Sequence, residues 1–332
     1  MKFMKQFVSF AFRAGISIVL IVLLLRFQHI DVAAILGHIR SADKKMLILA
    51  FAVTLATAVL GFFRWRMLLQ AFSIQVPFKR ILASFAGGIF FSSLLPSTIG
   101  GDFVRSFDLA MHTKKAKEVV ATVILDRLSG CIGLLIVVIF ALIFGWRYAQ
   151  DNIILLPISI IASILILLLL VLFNNFVYSR VNSFLNSPRA GKIRGTLAQL
   201  HDEIYRFRDD KKTLVYNLSL SVLIQLGSPL SFYITSRALH QEVNVAYFFI
   251  FLPIIGAITL IPISIGGLGL RENMTVIFFK KAGMVTDLAA TMSILNSLFI
   301  LILAGFGGLI YVFTIHRRRI QPAATSAGIS HK

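Results

Sequence analysis

The sequence predicts an all-α polytopic membrane protein, with about six full transmembrane helices plus two re-entrant broken helices in an inverted repeat. Three observations predict this fold class. First, 58% of the 332 residues are hydrophobic and only 14% are charged, a composition typical of membrane proteins. Second, several apolar runs approach the roughly 20 residues with which a helix crosses a bilayer. Third, a pattern containing Pro, Gly-Gly and Arg occurs twice, half the chain length apart.

Six apolar runs are long enough for full crossings, and we expect spans at 7–25, 46–63, 120–146, 152–173, 214–235 and 289–314. The first run follows a basic N-terminus without a small-residue cleavage site, so we expect it to be retained as a span. Two shorter runs, 81–96 and 247–263, end in Pro and Gly-Gly, as re-entrant segments do. The chain is therefore expected to form one transmembrane domain over 1–320, with repeat halves of about 1–150 and 151–320.

The distribution of Lys and Arg predicts the orientation. If the N-terminus is cytoplasmic and each short segment returns to its own side, the basic loop 174–213 and the basic residues 317–319 both lie in the cytoplasm, as the positive-inside rule requires. Three spans separate the two short segments, so the segments would enter from opposite faces and form an inverted repeat. We expect a multi-pass protein of the bacterial inner (plasma) membrane with both termini cytoplasmic.

The net charge of +19 is explained by this topology, so we expect no nucleic-acid partner. Apolar residues recur at near-helical spacing in 174–213, which predicts an amphipathic helix on the lipid surface, and 321–332 is expected to be disordered. Cys131 is the one cysteine of the sequence, which excludes an intrachain disulfide. The sequence has no metal-ligand spacing, phosphate-binding loop or nucleophile–base set, so it predicts neither a cofactor nor a catalytic site.

The duplicated pattern is the best candidate site. Proline breaks a helix, and paired glycines permit positive φ and let a ligand come close to the backbone. A helix restarting after them would aim its N–H groups at the break and favour an anion, and an arginine fork suits phosphate. The candidate residues are Gly100, Gly101 and Arg105 in the first copy and Gly266, Gly267 and Arg271 in the second. The alternative is two packing turns with interfacial arginines.

Charged residues near these elements extend the candidate set. Asp126 and Arg127 fall early in an apolar run, where a mid-span charge costs roughly 2.5–3.5 kcal/mol. They either face an aqueous or headgroup cavity or form an interfacial pair that snorkels towards the cytoplasm. Asp102 follows the first glycine pair, and Glu272 follows Arg271. Glu272 would either balance the charge of Arg271 or titrate and couple transport to protons.

Two further groups of residues have simpler interpretations. The segment Arg64-Trp65-Arg66 ends the second predicted span, where Trp and Arg are expected as interface anchors. One later span contains Asn217, Gln225, Ser228 and Pro229. These residues either line a cavity or form hydrogen bonds between helices, and the sequence alone does not separate the two.

Several motifs occur together in a characteristic order. They are Arg64-Trp65, Pro96 with Ile99-Gly100-Gly101-Asp102 and Arg105, the pair Asp126-Arg127, and Ile265-Gly266-Gly267-Leu268-Gly269 with Arg271-Glu272. This order resembles the membrane-embedded flippase-like region of lysyl-phosphatidylglycerol synthases, which also occurs as stand-alone bacterial and archaeal membrane proteins. The resemblance covers nearly the whole chain. The soluble aminoacyl-transferase domain of the two-domain members has no counterpart here, so aminoacyl transfer is not expected.

The resemblance implies movement of a membrane phospholipid or polyprenyl-type lipid between leaflets. The leading hypothesis is a lipid flippase-like transporter for an anionic phospholipid or lipid-linked intermediate. Arg105 and Arg271 would bind the headgroup, and the neighbouring acidic residues and Arg127 would supply gating or charge balance. One alternative is an integral-membrane transferase with Asp102 or Glu272 as acid or base. Another is a non-catalytic scaffold for a lipid-synthesis enzyme, and the oligomeric state stays open.

Overall fold

The computed structural model describes residues 31–95, 98–113, 115–145, 210–259 and 265–319, with isolated helical positions between 159 and 180. All regular structure in these ranges is helical, which confirms the predicted all-α membrane fold. The predicted span 7–25, most of the predicted span 152–173, most of the loop 174–213 and the tail 321–332 lie outside the described residues. Pro96 and Pro262 of the duplicated pattern lie outside them as well.

The described ranges contain nine α-helices and one 3₁₀ turn. In chain order they are α1 (Val32–Ser41), α2 (Lys44–Ala71), α3 (Phe78–Leu94), α4 (Thr98–Thr113), α5 (Ala116–Gly145), α6 (Lys211–Ala238), α7 (Val245–Thr259), the 3₁₀ turn Ile265–Gly267, α8 (Leu270–Lys281) and α9 (Thr286–Arg319).

Four of these helices are long and apolar enough to cross a membrane. The segments are Lys44–Ala71, Ala116–Ile143, Lys211–Ala238 and Thr286–Thr314, with mean hydropathies of 2.4, 2.3, 1.3 and 2.2. A helix of 28 residues is about 42 Å long, which exceeds the roughly 30 Å of a bilayer's hydrocarbon core. Four of the six predicted spans, 46–63, 120–146, 214–235 and 289–314, are therefore confirmed as membrane-spanning candidates.

Local chemistry fixes where several helices begin and end. The carboxylate of Asp43 accepts hydrogen bonds from the backbone N–H groups of Lys45 and Met46 at the start of α2, and Asp210 accepts one from Thr213 at the start of α6. Such N-caps satisfy donors that have no partner within the helix. α8 ends before Gly283, whose φ of 85° suits the left-handed turn that commonly follows a helix.

The two short apolar segments form short helices. α3 has 17 residues and α7 has 15, which makes them about 25 and 22 Å long. Each is shorter than the hydrocarbon core and is followed by a second short helix, α4 in the first half and α8 in the second. That these segments return to the side of the membrane from which they enter stays a prediction.

Helix packing is reciprocal between α2–α5 and α6–α9. α2 packs against α6, α3 packs against α9, and α7 packs against α5. Each of the short helices α3 and α7 thus contacts the long last helix of the other group, α9 or α5. The α2–α6 contact is very close, since a Cβ added to Gly227 would lie 1.8 Å from Cγ2 of Thr57. This reciprocity is expected of an inverted repeat, and the predicted halves 1–150 and 151–320 stay a prediction.

Two apolar clusters frame the middle of the protein. One, around α6–α9, contains the buried rings of Phe248, Phe251 and Phe279, whose centroids lie 4.7 to 5.5 Å apart. The other joins α2, α3, α4 and α5 around Trp65 and Leu109. Most other large apolar side chains on the outer faces of the helices are exposed, as expected where lipid replaces water as the solvent.

Candidate functional site

Five charged side chains from α2, α4 and α5 meet inside the helix bundle. We call them the ion cluster: Arg64, Asp102, Arg105, Asp126 and Arg127. Four of the five are nearly buried, and Arg127 keeps a side chain that is 46% exposed. The cluster therefore has a closed inner end and an open end at Arg127.

Asp126 joins two of the arginines. Its Oδ1 lies 2.7 Å from Nε of Arg64, and its Oδ2 lies 2.8 Å from Nη2 of Arg105. Arg64 also donates from Nη1 to the hydroxyl of Ser221 on α6 at 3.0 Å. Both carboxylate oxygens are thus occupied, and the aspartate links α2, α4 and α5.

Asp102 forms the outer pair of the cluster. Its Oδ1 lies 2.9 Å from Nη2 of Arg105, and its Oδ2 accepts a hydrogen bond from Nε of Arg127. Nη2 of Arg105 therefore lies between two carboxylates. The sequence analysis left open whether Asp126 and Arg127 snorkel as an interfacial pair, and the structure shows that each pairs with a residue from another helix.

The ion cluster carries net positive charge. Among the described residues three guanidinium groups face two carboxylates, an excess of one formal positive charge. Nε of Arg105 is buried and has no hydrogen-bond partner among the described residues, and its guanidinium carbon lies 4.9 Å from the ring centroid of Trp65. Because a buried charge is costly unless it is paired, this arrangement favours a bound anion.

The prediction that Arg64 and Trp65 are interface anchors is wrong. Trp65 is fully buried and its indole Nε1 donates to the hydroxyl of Thr122 at 3.3 Å, while Arg64 belongs to the ion cluster. The sequence contains one indication of this pairing. A carboxylate such as Asp126 within an apolar span needs a cationic partner, and Arg64 directly follows the predicted span 46–63. The partner could not be named because 62 residues separate the two.

The first glycine pair does not form the predicted open turn. Gly100 and Gly101 lie inside α4, which begins at Thr98, and neither is among the described glycines with positive φ. A Cβ on Gly101 would lie 2.0 Å from Oγ of Ser92 and 2.1 Å from the carbonyl oxygen of Gly88. These glycines instead allow α3 and α4 to pack closely, which corrects the prediction that a helix restarts after them.

The second glycine pair does form the predicted turn. Gly266 has φ 57° and Gly267 has φ 79°, conformations that favour glycine. The guanidinium of Arg271 donates from Nη2 to the carbonyl oxygen of Gly266 at 3.3 Å. Arg271 thus holds the turn that precedes its own helix, and α8 restarts after the glycines, as predicted.

Glu272 binds the start of its own helix. Its Oε2 accepts a hydrogen bond from the N–H of Gly269 at 2.6 Å, and its Oε1 accepts one from the hydroxyl of Ser297 on α9. Of the ion pairs found among the described residues, none joins Glu272 to Arg271. The carboxylate therefore caps α8 without pairing directly with Arg271, although the two charges still attract each other. The predicted role of Glu272 in balancing the charge of Arg271 stays a prediction.

The polar residues of α6 form hydrogen bonds to α5. The amide of Asn217 donates to the hydroxyl of Ser129 at 2.6 Å, and the amide of Gln225 donates to the carbonyl oxygen of Gly130 at 2.7 Å. Of the two interpretations, cavity lining and hydrogen bonding between helices, these contacts support the second for Asn217 and Gln225. They also tie α6 to the helix that carries Asp126.

The two breaks are adjacent along α3. Cδ of Arg105 would lie 3.3 Å from a Cβ on Gly88, and the backbone of Ser93 would lie 3.0 Å from a Cβ on Gly266. Gly88 and Ser93 are five residues apart on α3, about 7.5 Å along the helix axis. Arg105 and the turn of the second half therefore both pack against α3, about 140° apart around its axis.

Comparisons with known proteins identify the family. Residues 10–315 match the family model described as the lysylphosphatidylglycerol synthase TM region. A UPF0104 membrane protein of Methanothermobacter thermautotrophicus is 23% identical over 282 residues, covering 78% of this chain and 82% of the relative. A second, from Pyrococcus horikoshii, is 22% identical over 278 residues, covering 77% and 83%. No solved structure matches. This chain belongs to the lysylphosphatidylglycerol synthase transmembrane-region family.

Proposed function

We propose that this protein moves an anionic phospholipid or lipid-linked intermediate between the leaflets of a bacterial inner membrane. The observation that carries the proposal is the net positive ion cluster inside a bundle of apolar helices. A cluster of this kind is costly in a membrane and marks a pathway or binding site more often than a purely structural element.

The phosphate of the lipid would bind at Arg105. The described part of the chain offers the buried Nε of this arginine no acceptor, and a phosphate oxygen can supply one. Arg127, at the more exposed end of the cluster, would meet the headgroup first, and Asp102 and Asp126 would hold the guanidinium groups in place before the lipid arrives. The cluster would then exchange part of its internal pairing for contacts with the lipid.

The second break would form the other wall of the pathway. Gly266 and Gly267 adopt positive φ beside Ser93 of α3, and this turn would let a headgroup approach the backbone. Arg271 would contribute a second guanidinium to the headgroup when it releases the carbonyl oxygen of Gly266. Glu272 would keep the start of α8 in place. The site would be exposed to each leaflet in turn as the helix pairs α3–α4 and α7–α8 move against the long helices.

The transferase alternative has less support. Asp102 and Glu272, the candidate acid or base residues, both accept hydrogen bonds through both carboxylate oxygens. Each carboxylate keeps further lone pairs, but a substrate would have to compete with these partners for hydrogen-bond reach. The scaffold alternative depends on the loop 174–213, most of which lies outside the described residues.

Purified protein in vesicles tests the proposal. Vesicles would contain phosphatidylglycerol with a fluorescent acyl chain, and a membrane-impermeant reductant would quench the probe in the outer leaflet only. We expect wild-type protein to make the inner-leaflet probe accessible to the reductant. Intact protein that leaves the inner half protected, with and without an imposed ion gradient, would overturn the proposal. A new lipid species would indicate the transferase, and a stably co-purifying lipid-synthesis enzyme would indicate the scaffold.

Arginine variants sharpen the same assay. We expect Arg105→Ala to slow lipid movement about 10- to 100-fold, because a charge-assisted hydrogen bond contributes about 1.5–3 kcal/mol. Arg271→Ala should slow it less, since Arg271 bonds its own backbone. Arg237→Ala is the matched control, because Arg237 forms an exposed ion pair with Glu242 away from the cluster. Equal rates for Arg105→Ala and Arg237→Ala would remove the cluster from the mechanism.

A further inference from the structure

α4 has two unlike faces. Its inner face carries Asp102 and Arg105 of the ion cluster, whereas its outer face carries Phe103, Phe107 and Met111, which are exposed by 70%, 58% and 70%. These three residues follow each other at four-residue spacing and so form one stripe along the helix. The rings of Phe103 and Phe107 stack with centroids 6.1 Å apart. The stripe is an apolar surface suited to acyl chains.

A buried arginine lies beside this stripe. Arg80 of α3 is only 8% exposed, and its Nη2 donates to Oδ1 of Asp108 at 2.8 Å and to the carbonyl oxygen of Asp108 at 3.2 Å. Its Nε and Nη1 are buried, and no hydrogen-bond partner for either occurs in the described part of the chain. Because an unsatisfied N–H of a buried charged group is costly, a ligand that supplies acceptors to these two nitrogens would be favoured.

A cavity of about 480 Å³ joins the arginine to the stripe. Arg80 and Asp108 line it together with Phe103, Phe107, Met111 and Tyr311, and we call it the Arg80 pocket. Its volume falls within the roughly 300–1,000 Å³ typical of small-molecule sites. Asp108 lies three residues beyond Arg105 on α4, about 4.5 Å along the axis and 60° around it, so the pocket lies next to the ion cluster.

The chemistry of the pocket selects among anions. Asp108 neutralises Arg80, and its second carboxylate oxygen accepts from the hydroxyl of Ser84. A free phosphate dianion would therefore meet little net positive charge. A phospholipid supplies phosphate oxygens as acceptors for Nε and Nη1 and at the same time places its acyl chains along the exposed stripe. The apolar part of the ligand adds binding energy that inorganic phosphate cannot provide.

We propose that the Arg80 pocket binds the phosphodiester headgroup of a membrane phospholipid, with its acyl chains on Phe103, Phe107 and Met111. The pocket is separate from the ion cluster and would hold the lipid beside it. This role in lipid delivery rests on the proposed function, whereas the binding itself does not depend on transport.

Native mass spectrometry of the full chain in detergent measures the binding directly. The probes are phosphatidylglycerol, phosphatidylethanolamine with the same acyl chains, and inorganic phosphate. We expect both lipids to bind and inorganic phosphate not to compete at equal concentration. Arg80→Gln should raise the apparent Kd about tenfold or more. Competition by inorganic phosphate as effective as that by lipid would overturn the lipid assignment.

A surface variant guards against misfolding of Arg80→Gln. Phe107→Gln changes an exposed side chain and should raise the apparent Kd about threefold to tenfold. Phe306→Gln is the matched control, because Phe306 on α9 is 59% exposed and lies outside the pocket. Wild-type affinity in Phe107→Gln would overturn the inference. If the protein moves lipid but Arg80→Gln and Phe107→Gln both bind it with unchanged affinity, only the pocket is refuted. If the protein binds lipid at the pocket but does not move it, only the proposed function is refuted.

Discussion

The two halves of the described bundle use the same contacts with different chemistry. In the first half, Arg64 of α2 pairs with Asp126 of α5 and donates to Ser221 of α6. In the second half, Ser231 of α6 donates to Asn296 of α9 at 2.9 Å and shares a hydrogen bond with Thr54 of α2 at 3.0 Å. Where the first half has an ion pair, the second half thus has an uncharged hydrogen bond at the corresponding place.

A second matching contact extends this comparison. Asp102 accepts from Arg127, Glu272 accepts from Ser297, and in each case 25 residues separate the partners. By these contacts Glu272 corresponds to Asp102, so Arg271 is not the structural counterpart of Arg105 despite the matching sequence pattern. The two halves thus share the positions of these interhelical contacts, whereas the interior positive charge is concentrated in the first half.

The largest expected effect comes from removing the central carboxylate. Asp126→Ala leaves Arg64 without a carboxylate partner and leaves Arg105 paired with Asp102 alone, so we expect a loss of about 3–5 kcal/mol in the free energy of unfolding. Asn296→Ala, the matched change in the second half, should cost about 1–3 kcal/mol, because it breaks only uncharged hydrogen bonds. Denaturant titration in detergent measures both. Equal losses would show that the charge difference between the halves has no energetic consequence.

The glycine pairs allow a second comparison with smaller effects. Gly101→Ala forces α3 and α4 apart and should cost about 1–3 kcal/mol, whereas Gly266→Ala places a side chain at φ 57° and should cost about 1 kcal/mol. Asparagine tolerates the left-handed region better than alanine. Gly266→Asn should therefore be more stable than Gly266→Ala, and Gly101→Asn less stable than Gly101→Ala. Thermal unfolding in detergent measures the order, and the same order at both positions would contradict the assignment of different roles.

These comparisons also show what sequence could and could not predict. The four described spans were predictable because the length and polarity of an apolar run are local properties. The pairing of Arg64 with Ser221 was not, because 157 residues separate them and only helix packing brings them together. The duplicated pattern led to equal roles for both glycine pairs, yet Gly100 and Gly101 lie within α4 whereas Gly266 and Gly267 precede α8. Where a helix starts depends on packing against α3, which the pattern does not encode.

The smallest expected effects concern the helix caps of the two halves. Asp43 caps α2 and Asp210 caps α6, and the backbone N–H of Asp43 also donates to the carbonyl oxygen of Ala238 at 2.9 Å. Asp43→Ala should cost about 1 kcal/mol in the free energy of unfolding, the usual effect of losing an N-cap. Asp210→Ala should likewise lower the stability, because the Asp210 carboxylate accepts two hydrogen bonds from Thr213 just as that of Asp43 accepts two from Lys45 and Met46.

The cap of α6 should also respond to pH. Hydrogen bonds from the hydroxyl and backbone N–H of Thr213 lower the pKa of Asp210 below its ordinary value. Because the folded-state pKa is depressed, the carboxylate stabilises α6 above the ordinary pKa, and this contribution is lost as the pH falls through the lowered value. The difference in thermal stability between wild type and Asp210→Ala should therefore shrink between pH 6 and about pH 3. A difference that stays constant or grows on acidification would show that the cap acts through the shape of the side chain rather than its charge.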